Sequence, residues 1–101
     1  PENSLTKQKW ERKKSIEKEK RKLEKEVERV EQEIENAEQK IRNMDQLLAD
    51  PAQYQLDVFN QDWYKSYNAL KEKSLDLMSA WENLHGQLAE TNAELDRLMN
   101  D

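Results

Sequence analysis

One interruption in an otherwise unbroken heptad pattern constrains this chain more than any other feature. Apolar residues step by threes, fours and sevens through Ile16, Leu23, Val27, Val30, Ile34, Ala37, Ile41, Met44 and Leu48, a spacing that keeps one seam on one side of an α-helix. The pattern stops at Ala49-Asp50-Pro51. Proline disfavours helix at the residue before it, and Asp50 can cap a new turn that begins at Pro51. A second seam then runs through Leu56, Asn60, Trp63, Tyr67, Leu70, Ser74, Leu77, Trp81, Leu84, Leu88, Thr91, Leu95 and Leu98. A single antiparallel register satisfies both seams: Leu48 faces Leu56, Ile41 faces Trp63, Ala37 faces Tyr67, Val30 faces Ser74, Leu23 faces Trp81 and Ile16 faces Leu88, with large residues mostly opposite small ones. Slipping one heptad would lengthen the turn well past the usual helix connection of about 2 to 8 residues.

The fold expected is therefore all-α, a two-helix antiparallel coiled-coil hairpin with helices over 5–49 and 56–99 and a turn over 50–55. At 1.5 Å per residue each arm of such a hairpin is roughly 65 Å long. Toward the open end Lys20, Lys13 and Lys9 occupy seam positions opposite Leu84, Thr91 and Leu95, and Gly86 falls in the same stretch, where a glycine costs about 1 kcal/mol of helix stability. That end is expected to be looser and to rest on another domain. A chain that opens on Pro1 rather than Met reads as a piece of a longer protein, and the fold is expected to be monomeric.

Composition excludes several classes. With 39% charged residues, one glycine and no cysteine, the chain has no phosphate-cradling glycine loop, no disulfide framework and no thiolate metal site. The only histidine, His85, falls at a flanking position with no second imidazole near it, which reads as surface rather than as a metal ligand. No apolar run reaches the ~18 residues of a membrane span. Neither catalytic nor metal-binding residues are expected, and the chain reads as no enzyme in itself. The glutamates at Glu17, Glu24, Glu31 and Glu38 and at Glu19, Glu26 and Glu33 flank the seam and read as solvated edges able to pair with Lys71 and Lys73. Trp63, Tyr67 and Trp81 lie on the seam and read as packing. Trp10 and Phe59 lie beside it, where a large aromatic is only half covered and is free to touch a partner.

Charge is unevenly spread. Residues 1–30 hold 11 Lys/Arg against 7 Asp/Glu, whereas residues 31–101 hold 6 against 15. Six of the cations, Lys14, Lys18, Arg21, Lys22, Lys25 and Arg29, share the outer face of the first helix over about 22 Å. A stripe of that kind can neutralise several phosphates and bind DNA or RNA in a salt-sensitive, sequence-independent way. The competing reading is a solubilising face on a structural spacer or protein-docking hairpin without nucleic-acid binding.

The residues also resemble the C-terminal coiled-coil domain of ABC-F ATPases, the Uup-like group. The likeness rests on the Lys/Arg-rich opening arm, the Leu48-Ala49-Asp50-Pro51 turn with Tyr54 after it, and Tyr64, Tyr67, Leu70, Lys71, Met78, Trp81 and Glu82 in the return arm. The Trp81-Glu82 pair is its most specific element. The run Leu5-Thr6-Lys7-Gln8-Lys9-Trp10-Glu11 departs from the opening found in many relatives and resembles a shortened form of it. The resemblance implies a cytoplasmic bacterial protein with ATPase domains N-terminal to this segment, ATP and Mg²⁺ in those domains with no cofactor in this one, and a family role on ribosomes and translation. It also implies DNA binding by this domain, carried to the six cations just named.

Overall fold

The structure, a computed structural model, describes residues 2–100. It contains two α-helices, α1 (Glu2–Ala49) and α2 (Gln61–Asn100), joined by a turn. The fold is the all-α antiparallel hairpin that the two seams require. α1 has no glycine or proline in its 48 residues, so no helix-breaking residue interrupts it. Its outer edge is laced by side-chain hydrogen bonds three and four residues apart, Gln32 to Asn36 (3.2 Å), Gln39 to Asn43 (3.0 Å) and Arg42 to Gln39 (2.8 Å), the spacing at which helical side chains meet.

The turn is longer than expected, and α2 starts at Gln61 rather than at residue 56. Asp50 acts as the expected cap: its Oδ1 accepts the Gln53 N–H (3.3 Å) over a single helical turn that opens at Pro51. That turn closes at once. Leu56 N–H donates to the Pro51 carbonyl (2.8 Å) and Gln55 N–H to the Ala52 carbonyl (3.3 Å), with Gln55 at φ 57°. These are the two bonds and the left-handed residue of a Schellman motif. The chain leaves it in a direction that cannot continue into a helix at Leu56. A second local motif follows, in which Asp57 Oδ1 accepts the Phe59 N–H (2.9 Å), an Asx turn. Asn60 then caps α2, its Oδ1 accepting the Trp63 N–H at 3.1 Å, and Asp62 in the first turn suits the positive end of the helix dipole. Leu56 and Asn60 thus belong to the connection, although they keep the 3-4 spacing of the seam.

The chain forms two compact units, Val30–Ala80 and Pro1–Arg29 with Trp81–Asp101. In the unit that holds the turn, Val30 (2% exposed), Ala37, Tyr67 and Ser74 are buried, and these are the two pairs, Val30 with Ser74 and Ala37 with Tyr67, that the register matches. Tyr67 stacks on Trp63 (5.4 Å between centroids, 14° between planes), and its hydroxyl donates to Asp45 of α1. Lys71 sits 4.7 Å from the centre of the Tyr67 ring. Gln46 of α1 donates to the Tyr54 hydroxyl (2.9 Å), tying the turn to the helix before it. Tyr67 is large enough to cover a small Ala37 and polar enough at its tip to need a partner such as Asp45.

In the other unit the buried residues are Ile16, Leu23 and Val27, all from α1. Trp81, Leu84, Leu88, Thr91, Leu95 and Leu98 of α2 are half-buried along the expected seam. Trp81 is less covered than its seam position suggested, because a two-helix layer lacks a third element to close over so large a ring. Lys9, Lys13 and Lys20 are half-buried as well. Their aliphatic stems can cover the seam, and the Lys13 ammonium pairs with Glu17 at 3.7 Å. Arg12 of α1 pairs with Glu94 of α2. Both residues immediately precede a seam position, and they flank the layer in which Lys13 faces Thr91, as the antiparallel register requires.

Candidate nucleic-acid interface

All six cations expected to form a stripe are exposed, and all lie on α1 within one unit. Helical periodicity places Lys14, Lys18, Arg21, Lys22 and Lys25 on the outer side because the opposite side is spent on Ile16, Leu23 and Val27. Ser15, Lys18, Glu19, Arg21, Lys22 and Lys25 line a shallow groove on that side. None of Lys14, Lys18, Arg21, Lys22 and Lys25 forms an ion pair within 4.0 Å among the described residues. Their side chains are exposed to solvent, with Lys22 also adding to the field on Glu26.

Arg29 differs. Its Nε donates to Glu26 Oε1 at 3.0 Å, and its Nη2 reaches the same oxygen. The Glu26 carboxyl is held below its ordinary range, first by this hydrogen bond, with burial opposing and the charges of Arg29 and Lys22 assisting. Arg29 is therefore partly committed to its own helix. The stripe that remains open runs from Lys14 to Lys25.

His85 is exposed, and its ring lies 4.0 Å from that of Trp81, so the imidazole serves as an aromatic cover for the half-buried indole. No group of three or more His, Cys, Asp or Glu is placed to hold a metal ion among the described residues. Phe59 is 86% exposed on the turn, with Val58 also exposed beside it. Trp10 is 54% exposed on α1, with the Lys13 ammonium 4.6 Å from its ring centre. No described helix is long and apolar enough to cross a membrane.

Two helices meeting on a heptad seam around one capped turn, with a single open cationic face on the first, make this a coiled-coil hairpin domain. The chain belongs to the ABC transporter C-terminal domain family, whose profile matches residues 18–86. The matched span includes the turn, the Trp81-Glu82 pair and five of the six cations, Lys14 alone falling outside it. No curated protein and no solved structure matches the chain.

Proposed function

We propose that this domain is the non-catalytic nucleic-acid-binding arm of a cytoplasmic ABC-F ATPase of the Uup-like group, acting on DNA or ribosomal RNA. ATP and Mg²⁺ belong to the parent's nucleotide-binding domains, and the arm itself needs no cofactor. The observation that carries the reading is the run Lys14, Lys18, Arg21, Lys22 and Lys25: five exposed cations on one helical face, with no carboxylate within ion-pair distance. A polyanion meets there a row of unspent charges on a rigid element. Binding is through the backbone and nearly indifferent to sequence, because lysine contacts phosphate more readily than base edges and both helices are already engaged with each other.

A domain carrying Lys22→Glu and Lys25→Glu should keep its helical circular dichroism and bind duplex DNA and structured RNA more weakly at low salt. An Arg29→Gln change should matter less, because that guanidinium already serves Glu26. A docking hairpin that binds protein instead of nucleic acid is favoured by a different observation, the exposed Val58 and Phe59 beside Asp57 on the turn. On that reading the double charge reversal leaves nucleic-acid affinity unchanged, and Phe59→Ala is the variant that loses a partner.

A further inference from the structure

We propose that Trp10 is a stacking platform for an unpaired base, so that the cationic face takes a single strand of DNA or RNA in preference to uninterrupted duplex. The inference rests on the polyanion reading above and specifies its ligand. Trp63 and Trp81 are half-buried on the seam, whereas Trp10 lies off it and keeps 54% of its surface exposed. Exposure alone does not mark a site, since Leu5 of the same helix is 65% exposed; what sets Trp10 apart is where it stands. Its position names the occupant's chemistry. Trp10 precedes Lys14 by four residues, Arg21 by eleven and Lys25 by fifteen, offsets that bring all four to the same face of a helix. The ring therefore stands at the N-terminal end of the row of charges and in line with it.

The surface around the ring fits a flat ligand attached to an anionic chain. Lys9, Trp10, Lys13 and Met99 line a depression of about 220 Å³, smaller than the roughly 300 to 1,000 Å³ of pockets that enclose drug-sized molecules and suited to a single planar ring. Its lining is almost wholly apolar, and the Lys13 ammonium lies over the indole, 4.6 Å from the ring centre, and 3.7 Å from Glu17, so the phosphates are left to the cations from Lys14 onward. Aromatic rings interleaved with cations bind single strands because every base offers a π-face and every linkage a phosphate. In an intact duplex those faces are already stacked on one another, which leaves Trp10 nothing to take.

The test compares the unmodified domain with Trp10→Leu, which keeps apolar bulk but has no π-face, and Trp10→Phe, which keeps a ring. Affinities are measured by fluorescence anisotropy for 12-mers of oligothymidylate and oligouridylate and for a 12-base-pair DNA duplex. Trp10→Leu should lose about 5- to 150-fold in affinity for at least one of the two strands, Trp10→Phe should retain most of it, and duplex affinity should be the same for all three proteins. The oligonucleotide showing the larger loss distinguishes DNA from RNA as the preferred strand. Unchanged single-strand affinity in Trp10→Leu, or an equal loss for strand and duplex, overturns the proposal. Lys22→Glu, Lys25→Glu is measured alongside. If it weakens binding while Trp10→Leu does not, only the stacking role fails; if it changes nothing, the polyanion reading fails and takes this proposal with it.

Discussion

Gln55 holds a left-handed φ of 57° that glycine adopts without the steric penalty of a Cβ. That penalty is roughly 1 to 2 kcal/mol for other residues, against about 0.5 to 1 kcal/mol of extra chain entropy that a glycine loses on folding. Gln55→Gly should therefore stabilise the domain by about 0.5 to 1 kcal/mol, read as a rise in the urea midpoint. Gly86 presents the reverse case: it lies inside α2, and a Cβ added there would meet nothing within 4 Å. Gly86→Ala should add about 1 kcal/mol, and no gain would mean that the stretch is not helical in solution. Two residues give stability a dependence on pH. The lowered pKa of Glu26 means that its contribution is fully present above the ordinary carboxylate range and fades as pH falls through the folded value. Glu26→Gln should therefore flatten the acid side of the stability profile. The Tyr67 hydroxyl is pushed up, chiefly by its hydrogen bond to Asp45 and then by burial, with Lys71 opposing. Its contribution is fully present below the ordinary phenol pKa of about 10 and fades as pH rises through the folded value. Tyr67→Phe should remove that alkaline limb in a stability titration.

Among the elements, the helices and their inward faces were legible in sequence because a 3-4 repeat has only one way to bury itself. Every buried position, Ile16, Leu23, Val27, Val30, Ala37, Tyr67 and Ser74, lies on the seams as read. The start of α2 was not legible. Leu56 and Asn60 continue the spacing of the seam, but spacing says nothing of capping, and the Schellman closure at Gln55 with the Asn60 cap displaces the helix start to Gln61. Local hydrogen bonding decided the boundary that periodicity left open. Asp50→Ala and Asn60→Ala should each cost about 1 kcal/mol by removing a cap, measured by chemical denaturation. Leu23→Ala in the buried seam should cost about 2 to 3 kcal/mol. Trp81→Ala, at a half-covered site, should cost roughly 2 kcal/mol, below the range for a fully buried tryptophan.

At the scale of the whole molecule, the distribution of charge carries the functional account. The stripe was legible because charge and helical phase are both readable from residue order. Arg29's diversion to Glu26 was not, because which of several glutamates a guanidinium meets depends on rotamers that sequence leaves free. Trp10 was legible as a half-covered aromatic beside the seam, and the expected helix over 5–49 already put it in phase with Lys14, Arg21 and Lys25; its 54% exposure is what the structure adds. Family membership fixes the module and leaves its ligand to chemistry; on the nucleic-acid reading proposed above, the acidic excess after position 30 would keep a polyanion to α1's N-terminal half. The most direct test is therefore a salt titration of duplex DNA binding by the unmodified domain and by Lys22→Glu, Lys25→Glu. The logarithm of the affinity should fall linearly with the logarithm of salt concentration, and the double variant should bind more weakly with a slope shallower by roughly 0.9 for each phosphate it no longer neutralises. Equal affinities and equal slopes for the two proteins would contradict the account and leave a spacer or protein-docking hairpin in its place.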